Sequence, residues 1–269
     1  MLNQKIGFIG GGNMANAVIQ GLIVAGEISR GDIFVSDKDA LKLAEFTKLG
    51  INTTADNAEV ERNCDIVILA VKPQFMDVVL AELDGNSDKL HISIAAGVTL
   101  ERLSAALGAN AKIVRTMPNT PLMVGCGITI LCPNENVNTE DYAIAEAIFA
   151  CAGEVVRLEE RQINVAMALS ASSPAYMYMM VDAMAQSGAE LGLPRDIALK
   201  LAAKSMEGSA KMVLQIGIEP EQLKNNVCSP GGTTIEAVQT LEDKGFADTL
   251  RAAINACVAK ANKLDANLP

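Results

Sequence analysis

Residues 6–15 read Ile-Gly-Phe-Ile-Gly-Gly-Gly-Asn-Met-Ala, a short apolar run that leads directly into three consecutive glycines. The run Lys5–Ile9 predicts a strand, and Asn13–Val24 has the apolar spacing of a helix. The turn between them fits the pattern Gly-x-Gly-x-x-Ala. In this pattern Gly10 permits a tight turn, Gly12 lets the backbone approach a pyrophosphate, and Ala15 keeps the helix close to the sheet. The strand, turn and helix together predict a dinucleotide-binding unit.

The residues that follow this turn and the second strand predict the contacts of a nucleotide. Asn13 and Met14 open the first helix, whose backbone N–H groups and positive dipole end suit phosphates. At the end of the predicted strand Ile33–Ser36 the sequence continues with Asp37 and Lys38. Asp37 favours the ribose 2′-hydroxyl of NAD, whereas Ser36 and Lys38 would hold the 2′-phosphate of NADP. We favour NADP(H) here, and NAD(H) stays open as the cofactor.

Further strand and helix patterns alternate along the first part of the chain and then stop. A helix is predicted near residues 39–48 and another over 73–83, while the strand predictions are Asp65–Val71, Leu90–Ala95, Lys112–Thr116 and Gly127–Leu131. Asp65–Val71 is almost continuously apolar, as expected of a parallel strand that is buried on both faces. Beyond residue 158 only helices are predicted, near 159–168 and over 174–191, 194–216, 235–241 and 245–264. The fold class is therefore α/β, with a Rossmann-like doubly wound sheet domain over residues 1–158 followed by an all-α domain over 159–269.

Composition narrows the classes of partner and the cellular location. The formal net charge of −10 lacks the basic footprint of proteins that bind nucleic acids or anionic membranes, so neither partner is expected. No signal-like segment precedes the first strand, and no apolar run approaches the length of a membrane span. The six cysteines form no CxxC pair, which predicts buried thiols in a reducing compartment, the cytoplasm, and no metal. The single histidine, His91, lies at the entrance of a strand and is interpreted as structural.

A second glycine-rich segment, Ser-Pro-Gly-Gly-Thr-Thr at residues 229–234, lies directly before the predicted helix 235–241. Successive backbone N–H groups and threonine hydroxyls at the start of a helix make a site for an anion such as a substrate carboxylate. The same residues also fit an ordinary Pro-Gly turn followed by a threonine N-cap. Two adjacent glycines and two adjacent threonines exceed what a cap requires and therefore favour a ligand site.

Six segments, distributed in order along nearly the whole chain, resemble the pyrroline-5-carboxylate reductase family. The most specific is Val-Cys-Ser-Pro-Gly-Gly-Thr-Thr-Ile at 227–235, and the others are 6–17, 69–74 (Leu-Ala-Val-Lys-Pro-Gln), 93–98 (Ser-Ile-Ala-Ala-Gly-Val), 115–121 (Arg-Thr-Met-Pro-Asn-Thr-Pro) and 174–176 (Pro-Ala-Tyr). One small departure is Ala171-Ser172-Ser173, where the family usually has a more glycine-rich turn. The resemblance implies hydride transfer from NAD(P)H to the cyclic imine 1-pyrroline-5-carboxylate, which gives L-proline.

The resemblance also implies a role for individual residues. Thr234 matches the family residue whose hydroxyl reaches the imine nitrogen, and it is the expected catalytic residue. Gly231, Gly232 and Thr233, together with Ser229, would hold the substrate carboxylate. Glu160 matches a substrate-side carboxylate, although a surface charge fits that position equally well.

Cofactor contacts carry over in the same way. Asn57 resembles the residue near the adenosine, and Asn226 one that approaches the cofactor from the helical domain. Two loops at the carboxyl ends of strands would flank the nicotinamide and its ribose, and their residues are Ala70, Val71, Lys72, Ala95, Ala96 and Gly97. The family further implies that the helical domain is a dimerisation domain, so a homodimer or a larger homo-oligomer is expected.

Two other interpretations stay open at this point. A hydroxyacid dehydrogenase of the 3-hydroxyisobutyrate type also joins a dinucleotide domain to a helical one, but it needs a catalytic lysine, and residues 170–174 contain none. A nucleotide-sensing protein without catalysis would not require the intact segment 229–234.

Overall fold

A single eight-stranded sheet forms the first part of the structure, a computed structural model that describes residues 2–84 and 88–267 and the side chains to 265. The strand order is β3-β2-β1-β4-β5-β6-β7-β8. All six predicted strands are present, with ends that differ by up to two residues. Their bounds are β1 Ile6–Ile9, β2 Ile33–Ser36, β3 Asn52–Thr54, β4 Ile66–Leu69, β5 Leu90–Ser93, β6 Lys112–Met117, β7 Gly127–Pro133 and β8 Gly153–Arg157.

The sheet is parallel apart from one pair, as the alternation of strand and helix patterns predicts. Ile6 of β1 pairs with Ile33 of β2 on one side and with Ile66 of β4 on the other. The antiparallel pair is β6 with β7. The chain order reverses direction across the sheet between β1 and β4, and ligands of open α/β sheets bind at such a switch point, beyond the carboxyl ends of the strands.

The helices agree with the sequence patterns in the second part of the chain more closely than in the first. The predicted helix over 73–83 is shorter in the structure, since a 3₁₀ turn occupies Pro73–Phe75 and the α-helix ends at Leu80. The helix predicted near 159–168 begins as a 3₁₀ turn over Glu160–Gln162. The helix bounds are α1 Asn13–Val24, α2 Ala40–Lys48, α3 Asn57–Asn63, α4 Met76–Leu80, α5 Leu100–Leu107, α6 Thr139–Ala150, α7 Ile163–Ser170, α8 Ser173–Glu190, α9 Arg195–Ile216, α10 Pro220–Asn226, α11 Thr233–Asp243 and α12 Phe246–Asn267.

Two apolar clusters cover the sheet, and they hold it as a three-layer structure. One cluster joins alternate residues of β1, such as Ile6 and Phe8, to α1 and α6. The other joins Ile9 and β4 residues such as Val67 to α3, α4 and α5. Because side chains alternate between the two faces of a strand, burial on both faces explains why β1 and β4 are apolar throughout.

The chain divides into two compact units. Unit 1 comprises Met1–Ser172 and Val258–Pro269, and unit 2 comprises Ser173–Cys257. Unit 2 is entirely helical, and its buried hydrophobic residues are alanines such as Ala185, Ala198 and Ala202. Within the described ranges, no helix combines the length and the apolar character that a membrane span requires.

Candidate active site

The turn after β1 has a backbone that only glycine accommodates. Gly10 has φ +103°, and a Cβ built on it would lie 2.7 Å from the carbonyl oxygen of Ala70 at the end of β4. Positive φ is strained for L-residues, and the backbone contact leaves no room for a side chain. The chain after β1 and the chain after β4 therefore approach each other closely where the predicted phosphate turn begins.

The start of α1 provides a cradle for an anion. Gly12 is the N-cap of α1, and its backbone is extended. No side chain caps the helix start with a hydrogen bond, and the first turn contains no acidic residue. A Cβ placed on Gly12 would meet nothing within 4 Å, so the space in front of the helix end is open. Asn13 and Met14 are the first residues of this helix. Backbone N–H groups at an uncapped helix start and the positive dipole end fit a pyrophosphate.

Asp37 holds the glycine turn in place from the end of β2. Its carboxylate accepts hydrogen bonds from the backbone N–H groups of Gly11 and Asp39, each at 2.9 Å, and lies 3.2 Å from the Lys42 ammonium. Burial opposes ionisation, but these hydrogen bonds and the Lys42 charge outweigh it, so the pKa of Asp37 is lowered. The carboxylate that the sequence suggested for a ribose hydroxyl is therefore engaged by its own chain.

A cavity of about 460 Å³ opens beside this turn in unit 1. It brings together most of the residues predicted to contact a cofactor, and it adds several that sequence reasoning did not single out for that role. The predicted residues in its wall are Gly10, Gly12, Ser36, Lys38, Asn57, Ala70, Val71 and Lys72. Asp37, which the sequence offered for the ribose of NAD, also lines the cavity, and the additional residues are Lys42, Phe75, Val78, Val79 and Glu82.

Five predicted cofactor residues of unit 1 lie outside the wall of this cavity. Asn13 and Met14 belong to the first turn of α1, whose N-cap Gly12 lines the cavity. Ala95, Ala96 and Gly97 follow β5, the strand next to β4, and Gly97 has φ +76°. Their position after a parallel strand, at the same edge of the sheet as Ala70, agrees with the predicted loop.

A chain of hydrogen bonds crosses the cavity wall at the ends of β2 and α4. The Ser36 hydroxyl donates to Asn57 Oδ1 at 2.7 Å, and Asn57 Nδ2 donates to Glu82 Oε2 at 2.7 Å. The Lys38 ammonium lies 4.0 Å from the same carboxylate oxygen. Glu82 was missed by sequence reasoning because no motif marks it, and it reaches Asn57 across 25 residues of sequence.

In unit 2, the segment 229–234 forms a tight turn that opens α11. The Gly232 N–H donates to the Ser229 carbonyl, and Gly231 has φ +69°. The N-cap is Gly232, without a capping side chain, so Thr233 and Thr234 are the first helical residues. The alternative of a threonine N-cap is therefore wrong, and both threonine side chains are exposed. Asn226 ends α10 and accepts a hydrogen bond from Gln222.

Glu160 is engaged within unit 1. Its Oε1 lies 2.7 Å from the buried Arg115 guanidinium, which is 1% exposed, and accepts a hydrogen bond from the Leu100 N–H at the start of α5. Arg115 also contacts Asp265 at 3.3 Å. Asp265 in turn accepts from Asn164. The carboxylate predicted to face substrate thus connects β6, α5 and the last helix.

The whole chain, and not one segment alone, matches known proteins. Pyrroline-5-carboxylate reductase of Escherichia coli strain K12 is 46% identical over 266 residues, which cover 98% of this chain and 99% of that relative. The chain belongs to the pyrroline-5-carboxylate reductase family.

Two family regions account for most of this reductase. Residues 160–264 match the family described as pyrroline-5-carboxylate reductase dimerisation, and residues 5–97 match NADP oxidoreductase, coenzyme F420-dependent. The first region contains all of unit 2, and the second contains the glycine turn and the residues of the cavity wall. The helical part of the chain is therefore a dimerisation domain by family.

Solved reductases of the family have the same fold. The structure from Coxiella burnetii aligns with a TM-score of 0.91 at 38% identity, covering 98% of this chain and 99% of that one. The structure from Plasmodium falciparum with NADP bound aligns with a TM-score of 0.89 at 34% identity, with the same coverage. Membership of this family argues against the alternative of a hydroxyacid dehydrogenase.

Proposed function

We propose that this reductase converts 1-pyrroline-5-carboxylate to L-proline in the last step of proline biosynthesis, with NADPH as the favoured hydride donor and NADH as a usable one. The observation that carries the proposal is the glycine turn with its cavity, in a chain that is 46% identical to a pyrroline-5-carboxylate reductase over its whole length. The reduced nicotinamide, when bound, supplies the hydride.

The first part of the proposal concerns how this chain holds the cofactor. The start of α1 neutralises the pyrophosphate through backbone N–H groups, and the carboxylate of Asp37 keeps the turn in the required shape. Lys38 and Lys42 place two ammonium groups near the end of β2, where a 2′-phosphate would be recognised. Ala70, Val71 and Lys72 line the side of the cavity at the end of β4, and we assign them to the nicotinamide ribose.

The second part concerns the substrate. The start of α11 holds the substrate carboxylate through Ser229 and the N–H groups of Gly231 and Thr233, while Gly232, whose N–H donates to the Ser229 carbonyl, closes the turn of this substrate site. The Thr234 hydroxyl reaches the substrate nitrogen and donates a hydrogen bond to the lone pair that forms there as the hydride adds. Hydride adds to the imine carbon, the C=N double bond becomes single, and the nitrogen keeps the proton of the iminium form. Because the iminium forms in solution, the chain needs mainly to position the imine, and no histidine or carboxylic acid is assigned as a proton donor.

The helical unit completes the proposal as a homodimer interface. Its helices expose large apolar side chains, among them Met179 on α8 at 71% and Leu214 on α9 at 73%. Exposed apolar patches of this kind mark interaction sites in proteins that are otherwise well packed. We further propose the cytoplasm as the location, since none of the described cysteines is joined in a disulfide.

The test is the rate of cofactor oxidation with 1-pyrroline-5-carboxylate, measured separately with NADPH and NADH. We expect oxidation with both and a higher kcat/KM with NADPH. A folded protein that binds both cofactors and oxidises neither would contradict the proposal and would favour the nucleotide-sensing alternative. Light scattering on the same sample tests the dimer.

A further inference from the structure

Two carboxylates among the described residues line the cavity, Asp37 and Glu82. Asp37 holds the glycine turn, whereas Glu82 is connected to Ser36 through hydrogen bonds with Asn57. We propose that Glu82 is a specificity-determining residue, which lowers the preference of this reductase for NADPH over NADH. The inference rests on the proposed function only because it takes NADPH and NADH as the cofactors. It is argued from the contacts of Ser36, Asn57, Lys38 and Glu82.

The first argument is the polarity of the hydrogen-bond chain. An ionised carboxylate accepts hydrogen bonds and donates none, so Glu82 fixes the Asn57 side chain with its NH₂ group toward the carboxylate and its oxygen toward Ser36. The Asn57 oxygen can only accept, and the Ser36 hydroxyl must therefore donate to it, as the 2.7 Å contact has it. The Ser36 proton is thus committed to Asn57, and the side chain has no exposed surface from which it could donate to a ligand.

This polarity separates the two cofactors chemically. A 2′-phosphate has only acceptor oxygens and needs donors, and Ser36 is not available as one, whereas a ribose 2′-hydroxyl can itself donate. Ser36 has no exposed surface and Asn57 is 5% exposed, so water cannot easily rearrange these bonds. The Glu82 carboxylate, which is two hydrogen bonds away from Ser36, thus favours a ribose 2′-hydroxyl over a 2′-phosphate.

The second argument is charge. Glu82 lies 4.0 Å from the Lys38 ammonium and also faces the cavity that would receive the phosphate. A fixed negative charge beside an anion site opposes the binding of a dianion and competes for its cation. Both effects weaken NADPH, and neither acts on the uncharged 2′-hydroxyl of NADH.

The experiment compares Glu82→Gln with Glu45→Gln by isothermal titration of NADPH and NADH without substrate. Glutamine keeps the shape of the side chain, can accept from or donate to Asn57, and carries no charge. Glu45 lies exposed on α2, outside the cavity wall, so its substitution changes the net charge equally and serves as the control. For Glu82→Gln we expect the ratio of NADPH to NADH affinity to rise about fivefold, the upper range for one partly exposed charge pair, and for Glu45→Gln we expect no change.

Salt separates the two contributions. At about 1 M salt, where the Debye length is ~3 Å, the part of the gain that is due to charge disappears, and the part due to hydrogen-bond polarity stays. A double-mutant cycle with Lys38→Met gives a second readout, because removing the ammonium reduces the gain from Glu82→Gln if the two groups compete. An unchanged or lowered ratio in folded Glu82→Gln would overturn the inference.

These titrations also keep the inference separate from the proposed function. A wild-type protein that binds both cofactors but does not reduce the pyrroline contradicts the proposed reaction, while the effect of Glu82 on the two affinities is still measured. Normal turnover in Glu82→Gln with an unchanged affinity ratio contradicts the inference alone.

Discussion

Removing the carboxylate of Glu160 tests whether that residue stabilises the fold or serves the substrate. In the structure Glu160 accepts hydrogen bonds from the Arg115 guanidinium and from the Leu100 N–H, both at 2.7 Å. Glu160→Ala removes Oε1, the one oxygen that accepts both hydrogen bonds. Arg115 keeps Asp265 at 3.3 Å as its remaining ionic partner, within a site where the guanidinium is 1% exposed.

The expected cost follows from these contacts. Leaving a part-buried backbone N–H without an acceptor costs about 1–2 kcal/mol, and losing a hydrogen bond to a charged group costs about 1.5–3 kcal/mol. We therefore expect Glu160→Ala to lower the free energy of unfolding by about 3 kcal/mol, the lower end of the range for breaking a buried ion pair. For a chain of this size that corresponds to a fall in Tm of about 6–10 °C.

Thermal and denaturant unfolding measure the structural role of Glu160, and steady-state kinetics with the pyrroline measure its role toward the substrate, in one set of variants. Glu160→Gln keeps an oxygen for both donors and should lose about 1 kcal/mol, the net value of a typical hydrogen bond. Glu154→Ala, an exposed carboxylate on β8, is the control and should stay within about 0.5 kcal/mol of wild type. If Glu160→Ala unfolds like wild type but its KM for the pyrroline rises strongly, the structural role is refuted and Glu160 belongs to the substrate site.

Three further outcomes are expected. Gly10→Ala should weaken NADPH binding at least tenfold, because the new Cβ would lie 2.7 Å from the Ala70 oxygen at a residue with φ +103°. An unchanged NADPH affinity, measured by titration, would argue against a phosphate turn. Thr234→Ala should lower kcat/KM about 10²-fold with cofactor affinity near normal, since one positioned donor at a reacting group has that value; equal kcat/KM would remove it from the reaction. Burial raises the pKa of Cys64 to about 12 and that of Cys132 to about 11, so both thiols stay protonated at mildly alkaline pH. Mass spectrometry after alkylation should therefore find both cysteines unmodified until the protein unfolds.

The sequence predicted the buried strands well because their apolar runs have one explanation. It missed both edge strands, β3 and β8. Asn52–Thr54 is polar and Gly153–Arg157 has charged residues on either side of two valines, and both strands are partly exposed, so no long apolar run marks them. It also missed α10, and it missed α3, α5 and α6, although each of these three carries a recognisable capping residue. Asp56 accepts from the Ala58 N–H and Asn138 from the Asp141 N–H. These helices could have been found from their caps, which are local signals.

The residues of the candidate site also fall into two groups, those that a local sequence pattern predicts and those that only tertiary contacts define. The glycine turn and the loop after β4 line the cavity, and they were predictable because each is a local pattern at the end of a strand, while the role of the loop after β5 stays a prediction. Glu82 and Arg115 were not predictable, because the partners that define them come from tertiary structure. Asn57 is 25 residues from Glu82, and Asp265 is 150 residues from Arg115. A contact of Asp37 with a ribose hydroxyl stays a prediction, and the hydrogen bonds of its carboxylate with the N–H groups of Gly11 and Asp39 could be seen only in the structure.

The division of the chain has a consequence for its synthesis. Unit 1 is interrupted by Ser173–Cys257 and is completed by residues that follow that interruption. Arg115 leaves the ribosome 150 residues ahead of Asp265, a delay of about 8–30 s at the usual rates of translation. During that interval the nascent sheet holds a guanidinium that lacks one of its two carboxylate partners. The nascent nucleotide-binding unit is therefore completed only when the last helix has been synthesised, and a stalled product would contain a buried guanidinium with one hydrogen-bond acceptor fewer.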